Sequence, residues 1–159
     1  MASDPGIIVN TNAFKSFWQN LASTFRDNER VIFDTNNEFH DIDQPLVMQL
    51  NQAAIDGINA SRASTQYIMV EGNDWSGAWT WAKTNDKLKE LKDPFDKSAH
   101  EMHQCLDRDG SGNSDLCVTK TVGARRVSKA TSWLRDNKKV GFLGEFANGT
   151  SDKCKQAHR

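Results

Sequence analysis

Four short apolar segments recur along the chain at nearly constant spacing, and this repeat restricts the possible folds more than any other feature. The segments centre near Val31, Tyr67, His100 and Val140, which are 36, 33 and 40 residues apart. Sequence with helical character lies between them. Strands that alternate with helices at this spacing form parallel sheets, either open or closed into an eight-stranded barrel. The repeat therefore predicts an α/β fold with parallel strands.

The composition of the four segments indicates strands that are covered on both faces. RVIFD (30–34) and QYIMVEG (66–72) are rich in β-branched and aromatic residues and lack alternating polar positions. KVGFLGEF (139–146) is similar, whereas HEMHQCL (100–106) is more polar and gives a less clear strand signal. Continuous apolar runs of this kind are typical of parallel strands buried between helices.

Three longer stretches carry apolar residues at steps of three and four and are predicted to be helices: residues 11–27, 43–58 and 120–137. Thr11 is expected to cap the first helix, and Pro45 suits the first turn of the second. Residues 84–92 predict a shorter, charged helix. Since no linker or low-complexity segment interrupts the series, we expect residues 1–159 to form a single domain.

Charge and hydropathy exclude two classes of partner. Lysine and arginine together number 20, aspartate and glutamate 21, and the formal net charge of -1 builds no basic field. Nucleic acid and anionic membranes both require such a field. No apolar stretch approaches the roughly 20 residues of a membrane-spanning helix. The opening residues MASDPG also lack the basic and apolar regions of a signal peptide. We therefore expect neither a nucleic-acid nor a membrane partner.

Charged or imidazole side chains end the predicted strands: Glu38, Glu71, His103 and Glu145. Because α/β folds build their sites at the C-terminal ends of parallel strands, these residues are candidates for chemistry. Two carboxyl groups about 5 to 5.5 Å apart suit a retaining glycosidase, in which one protonates the leaving oxygen and the other attacks the anomeric carbon. Three acids are present for two roles. Acids that only mark where a strand meets water are the alternative.

Two motifs resemble metal sites without meeting the requirements of those sites. His100 and His103 lie three residues apart, not four as in a zinc-binding helix, and on a strand they point to opposite faces. DRDGSGNSD (107–115) matches the first positions of a calcium-binding loop, but Val118 stands where a bidentate Glu is required. We favour a polar turn there over a calcium-binding interaction domain, and we predict no metal site.

Two further features each allow two interpretations. The indoles of Trp75, Trp79 and Trp81 follow a strand end, where they can stack on sugar faces or pack the loop itself. Cys105 lies on the same strand face as His103, which allows a nucleophilic Cys/His pair as a minor alternative.

Seven segments spread over the chain carry a resemblance to a known family: RVIFDTNNEFHDID, LNQAAIDGI, STQYIMVEGNDWSGAWTW, DPFDK, EMHQCLDRDGSG, TSWLRDNKKVGFLGEFANG and CKQA. Together they resemble the fungal-type cellulases of glycoside hydrolase family five, which are endo-β-1,4-glucanases built on a (β/α)8 TIM barrel. A complete barrel takes about 250 residues. The resemblance therefore implies a partial barrel that contains strands four to seven.

The resemblance also implies roles for individual residues. Glu38 corresponds to the general acid/base and Glu145 to the nucleophile of a retaining double displacement, and Glu71 drops out as a catalytic candidate. Substrate contacts are implied for four more residues: Asn37, beside the sugar 2-hydroxyl, His103, Asn73 and Trp75. No cofactor is implied. The implied partner is β-glucan, as cellulose or cellooligosaccharides, and the implied location is outside the cell.

The resemblance also has implications for the three cysteines and for the exposed edges of a partial barrel. Cys117 and Cys154 correspond to a disulfide of fungal relatives, which leaves Cys105 free. Family members usually carry Tyr at the position of Cys105, where its hydroxyl bonds the nucleophile. A partial barrel exposes strand edges, so we expect a homodimer that covers them. A catalytically impaired or non-catalytic β-glucan-binding fragment is the alternative function.

Overall fold

The computed structural model describes residues 10–157, which build one parallel sheet flanked by helices. The sheet runs in the order β1 (Ile32–Asp34), β2 (Tyr67–Glu71), β3 (Ser98–Cys105) and β4 (Gly141–Ala147). The α-helices are α1 (Thr11–Phe25), α2 (Gln44–Ala60), α3 (Trp81–Thr84), α4 (Val122–Asp136) and α5 (Asp152–Ala157), and a 3-10 helix spans Asp86–Glu90. The α/β half-barrel with four parallel strands, predicted from the sequence, is confirmed. The prediction made on MASDPG lies outside the described residues.

The helices form close to where periodicity predicts them, with two corrections. The cap of α1 is Asn10, whose side-chain oxygen accepts the Ala13 N–H at 3.0 Å, so Thr11 is the first helical residue and not the cap. The predicted helix over 84–92 is instead the 3-10 helix, preceded by the single turn of α3. Helix α2 begins as predicted, with Asp43 at its cap and a proline in its first turn.

The main core lies between the sheet and helices α1 and α2. Helix α1 inserts Phe14 and Trp18, and α2 contributes a longer apolar face. The two helices approach so closely that a Cβ on Gly57 would collide with the backbone carbonyl of Lys15. This close packing holds α2 against the sheet and thereby fixes the loops at the C-terminal ends of the strands.

A second part of the core explains the polar strand β3. His100 is buried between Trp81 and Trp133, with ring centroids 6.0 and 5.3 Å away in edge-to-face geometry. Burial lowers the pKa of His100 to about 4, so the ring is neutral at pH 7. His103 instead contacts carboxylates of the neighbouring strands. The two histidines therefore lie on opposite faces, as the strand alternation predicts.

The three tryptophans of NDWSGAWTW divide between the two proposed uses. Trp81 is fully buried in α3, whereas Trp75 and Trp79 are about half exposed in the loop after β2. Only Trp81 packs the core. The other two stay available at the surface near the strand ends.

Strand β4 is open to solvent within the part of the chain that the structure describes. All seven of its residues are exposed, including Phe142 and Leu143. A disulfide joins Cys117 to Cys154 of α5, beside a small core of Leu106 and Val122. This is the cysteine pair that the resemblance implies. Among the helices within residues 10–157, none has the length and apolar character needed to cross a membrane.

Candidate active site

The candidate residues come from three strands and the loop after β1. Glu71 ends β2, His103 lies in β3 opposite Glu145 of β4, and Glu38 lies in the loop four residues beyond β1. A bulge at Gly144 brings Glu145 level with His103, since the register shifts by one residue between Met102 and His103. A Cβ on Gly144 would collide with the carboxyl group of Glu101, so any larger residue there requires the Glu101 side chain to move. The predicted meeting of strand-end residues is therefore found in the structure.

His103 is the centre of the site. Its Nδ1 lies 2.8 Å from Glu38 Oε1, a hydrogen bond, and 3.9 Å from Glu145 Oε2. Its Nε2 faces Glu71 Oε1 at 3.6 Å and Glu101 Oε1 at 3.8 Å. Burial acts to lower the pKa of His103, but the hydrogen bond to Glu38 and the surrounding carboxylates outweigh it and raise the pKa overall. The imidazole therefore gains a proton more readily than an ordinary histidine.

Glu38 and Glu145 form a pair at the solvent-facing side of this cluster. Their nearest carboxylate oxygens, together with a His103 ring nitrogen, lie within 4.8 Å of one another. The side chain of Glu38 is 31% exposed and that of Glu145 is 62% exposed. A ligand bound over the C-terminal face can reach both carboxyl groups. Two accessible carboxyl groups at this separation can act on opposite sides of one bond.

Glu71 has a different environment, although the sequence pattern placed it with the other two acids. Its side chain is fully buried, and its Oε2 accepts the backbone N–H of Glu38 at 2.7 Å. Burial raises the pKa of Glu71 to about 7, and the charges of Asp34 and Glu101 add to this increase. Since no ligand can reach this carboxyl group directly, it supports the site from behind.

The predicted substrate-binding residues differ in how freely they present their side chains. Asn37 is exposed beside Glu38. Asn73 is half-buried and joins two loops, because its side chain donates to the carbonyl of Ile42 and its N–H donates to Asn85 Oδ1 at 2.7 Å. The structure thus gives Asn73 a role in holding the loops, which the sequence pattern did not indicate.

Trp75 forms a flat aromatic surface with a residue that the sequence reasoning missed. Its indole stacks on His40 with ring centroids 5.0 Å apart and an angle of 6° between the planes. The backbone N–H of Trp75 donates to the backbone carbonyl of Phe39 at 3.1 Å, which joins the loop after β2 to the loop after β1. The sequence places His40 at the end of VIFDTNNEFH, but no local pattern predicts its contact with Trp75. The stack can support a sugar face beside the carboxylates.

Two groups of side chains bring metal-ligating atoms within 4.8 Å of one another: Glu38, His103 and Glu145, and Glu71, Glu101 and His103. Both groups depend on His103, whose Nδ1 is already hydrogen-bonded to Glu38. The prediction of no metal site stays a prediction. It rested on the spacing of His100 and His103 and on Val118 in the calcium-loop pattern, and neither group contains the histidine pair or residues of that loop.

The remaining motifs have structural explanations. In DRDGSGNSD the Asp107 carboxylate accepts from Ser111 Oγ, Gly112 N and Ser114 N at 3.2 to 3.3 Å, as a hydrogen-bonded turn does. Burial, helped by the charge of Asp107, raises the pKa of Cys105, so its thiol is a poor nucleophile. The first observation favours the polar turn over a calcium loop. The second weakens the Cys/His alternative.

The fold and the site together define half of a (β/α)8 barrel that carries paired carboxylates at its C-terminal face. The chain matches the Cellulase family, glycosyl hydrolase family 5, over residues 3–159 and therefore belongs to that family. It is 60% identical to the probable endo-beta-1,4-glucanase B of Aspergillus kawachii and 62% identical to that of Neosartorya fischeri. Each match covers 95% of this chain and 46% of the relative. The chain thus spans about half the length of these curated relatives.

Solved structures show the same relationship. An endo-beta-1,4-glucanase from Xanthomonas axonopodis pv. citri superposes with a TM-score of 0.90 at 39% identity, over 93% of this chain and 49% of that one. XacCel5A in complex with cellopentaose superposes with a TM-score of 0.91 at 36% identity, over 98% of this chain and 51% of that one. The half-barrel is therefore the fold of one half of these enzymes.

Proposed function

We propose that this chain carries the catalytic centre of a retaining endo-β-1,4-glucanase, with Glu38 as general acid/base and Glu145 as nucleophile. The observation that supports this proposal best is that one carboxylate oxygen of Glu38 and one of Glu145 lie within 4.8 Å of each other. Retaining glycosidases hold their two carboxyl groups about 5 to 5.5 Å apart, whereas inverting enzymes need about 6.5 to 9.5 Å to admit a water. Membership of the cellulase family agrees with this assignment.

The geometry suggests how each group acts. Glu145 attacks the anomeric carbon as Glu38 gives its proton to the leaving glycosidic oxygen, which yields a covalent glycosyl-enzyme. Glu38, now ionised, then takes a proton from the water that attacks the anomeric carbon and releases Glu145. The Nδ1–H of His103 donates to Glu38 Oε1, so it orients the acid/base and leaves Oε2 for the proton transfer.

The proposed substrate is a β-1,4-glucan, cellulose or a cellooligosaccharide. XacCel5A, with which this chain superposes, has a structure in complex with cellopentaose. In this chain the stacked rings of Trp75 and His40 offer one sugar-binding surface. We assign Asn37, Asn73 and His103 to contacts with sugar hydroxyl groups, and we assign no cofactor.

Two matched variants test the catalytic roles with carboxymethylcellulose and an aryl β-cellobioside. Glu145→Gln removes the nucleophile and should abolish turnover of both substrates. Glu38→Gln should lose about 10²- to 10⁴-fold on carboxymethylcellulose. It should form the glycosyl-enzyme from the activated aryl substrate, and azide should release it as the β-glycosyl azide. Unchanged hydrolysis by either variant would contradict the assignment.

A non-catalytic β-glucan-binding fragment is the second candidate function. It is favoured by the 62% exposure of the Glu145 side chain on a strand that is open to solvent. Calorimetry with cellopentaose, run beside a reducing-sugar assay, separates the two candidates. Binding with turnover supports the glucanase, and binding without turnover supports the fragment.

We also propose that the chain acts outside the cell and pairs with a second copy. The Cys117–Cys154 disulfide suits an oxidising compartment. Within the described residues β1 and β4 each pair on one side only, and two copies together would supply eight strands. Light scattering after size-exclusion chromatography measures the mass, and a monomer at working concentration would contradict the dimer.

A further inference from the structure

The backbone of Glu38 is held in an unfavourable conformation. Its φ angle is 54°, in the left-handed region that non-glycine residues seldom adopt. Such conformations cost free energy and persist only where the surroundings impose them, and they concentrate at functional sites. The contacts of Glu38 should therefore show what imposes this conformation.

One buried carboxyl group makes the relevant contacts. Oε2 of Glu71 accepts the N–H of Glu38 at 2.7 Å, which is short for a hydrogen bond from a backbone amide and typical of one to a charged acceptor. The Glu71 side chain is fully buried, so water does not compete for this N–H. Glu71 itself is fixed at the end of β2 in register with Glu101.

The other oxygen of Glu71 acts on the same residue by a second route. Oε1 faces His103 Nε2 at 3.6 Å, and among the described side chains neither atom has a hydrogen-bond partner. His103 in turn uses Nδ1 to hold Glu38 Oε1 at 2.8 Å. At 3.6 Å these two atoms are too far apart for a hydrogen bond, so Glu71 acts on His103 through its charge, which raises the pKa of His103 and favours an Nδ1–H directed at Glu38.

We propose that Glu71 is the positioning residue of the acid/base: its buried carboxyl group fixes the backbone of Glu38 directly and the side chain of Glu38 through His103. The inference rests on the proposed function of Glu38. It gives a role to the third acid of the sequence pattern, which had none. Glu71 does not touch substrate in this role.

The titration of Glu71 beside His103 makes the role observable. The titratable groups that face this pair are Asp34, Glu38, Glu101 and Glu145. Burial raises the pKa of Glu71 to about 7. Two groups coupled this closely titrate as a pair, so the change in charge should reach the Glu38 N–H near neutral pH.

Nuclear magnetic resonance of the ¹⁵N-labelled 159-residue chain tests the contact without requiring activity. In the unaltered chain the Glu38 amide signal should lie downfield and titrate near pH 7. Glu71→Gln keeps an acceptor oxygen, so the signal should stay downfield and lose that titration. Glu71→Leu removes the acceptor and should move the signal upfield. An unaltered chain without the titration, or a Glu71→Gln chain that retains it, would overturn the proposal.

Asp34→Asn is the matched control. It also removes one carboxylate whose charge acts on Glu71, but the Asp34 carboxylate accepts from the backbone of Asn36 and not of Glu38. The Glu38 amide should still titrate in this variant. If the Glu38 amide also lost its titration in Asp34→Asn, the titration would report the total charge around the site and not the contact with Glu71, which would overturn the proposal.

Kinetics with cellopentaose extend the test to function. Glu71→Leu should lower kcat about 100-fold with little change in KM, since a displaced acid/base harms the transition state more than binding. Glu71→Gln should recover most of kcat and alter the pH profile near neutrality. A parallel loss in both variants that follows their melting temperatures would mean a structural role only. If the unaltered chain shows no hydrolysis, the proposed function fails and the magnetic resonance result alone decides this inference.

Discussion

Strands β3 and β4 lie side by side, yet their surroundings are opposite. Six of the eight residues of β3 are buried, whereas all seven of β4 are exposed. Strand β3 pairs on both edges, with β2 and β4, while β4 pairs, among residues 10–157, only with β3. Their register partners His103 and Glu145 have side chains that are 6% and 62% exposed. Within the described residues, His103, which contacts the acid/base Glu38, is therefore held by side-chain packing. Glu145 is held mainly by the backbone hydrogen bonds between β4 and β3.

The largest expected effect comes from the core behind β3. Trp81→Ala leaves a cavity beside His100 and Trp133, and loss of a fully buried tryptophan should cost about 3 to 5 kcal/mol of unfolding free energy. Urea denaturation measures the change. Trp75→Ala, at an exposed indole, is the control and should cost much less. Equal losses would contradict the contrast between buried and open regions.

The disulfide should have the next largest effect, because it secures the segment that follows β4. Cys117 and Cys154 are 37 residues apart, and closing a loop of this length stabilises a fold by about 3 to 4 kcal/mol. Replacing both by Ser should lower the melting temperature accordingly. Cys105→Ser, which leaves the disulfide intact, should change it little.

His100 should make the β3 core sensitive to acid. Its folded-state pKa of about 4 is below the ordinary 6.5, so its contribution to stability is complete above pH 6.5 and is lost as the pH falls toward 4. The loss is at most about 3 kcal/mol. Unfolding free energies of the unaltered chain and His100→Gln, measured from pH 7 to 4, should converge as the pH falls.

The raised pKa of Glu71 makes stability depend on pH in the opposite direction. For this reason the measured quantity is the difference in unfolding free energy between the unaltered chain and His100→Gln. Its contribution is complete below pH 4.5 and is lost as the pH rises through about 7. Both chains of the His100 comparison contain Glu71, so its effect cancels. A constant difference between the two chains across the range would show that His100 does not titrate as expected.

The smallest effect is expected on β4 itself. Leu143→Ala, at a side chain that is 44% exposed, should change the unfolding free energy by less than about 1 kcal/mol. Its register partner Met102 is buried, and Met102→Ala should cost about 2 kcal/mol or more. A large loss at Leu143 would show that β4 is covered in solution, as a second copy of the chain would cover it.

Much of the fold followed from local pattern. The runs around Val31, Tyr67 and Val140 are short and apolar, and apolar residues recur every three or four positions in the helices between them. The positions of most strands and helices, and the parallel direction of the strands, could therefore be predicted. The errors lie at the cap of α1 and in residues 84–92, which form a 3-10 helix where an α-helix was predicted. Asn10 and Thr11 both suit a cap, and only the path of the preceding backbone decides which of them serves.

The candidate site was predicted in part. The strand-end rule selected Glu38, Glu71, His103 and Glu145, and the structure brings them together around one imidazole. The rule could not separate the three acids, because burial depends on neighbours that are distant in sequence. Likewise, the stack of His40 on Trp75 joins residues 35 positions apart, and no local signal indicates it.

By itself, the sequence determined which residues end strands, which helices form and to which family the chain belongs, since propensity, periodicity and motif spacing are properties of short segments. Only the tertiary structure decided which acid is buried and which are accessible. The Glu71 carboxyl group is fully buried beside Glu38 and His103, and its pKa rises because the surrounding protein removes water from its charge. Glu38 and Glu145 remain accessible because the same packing leaves their side of the sheet open.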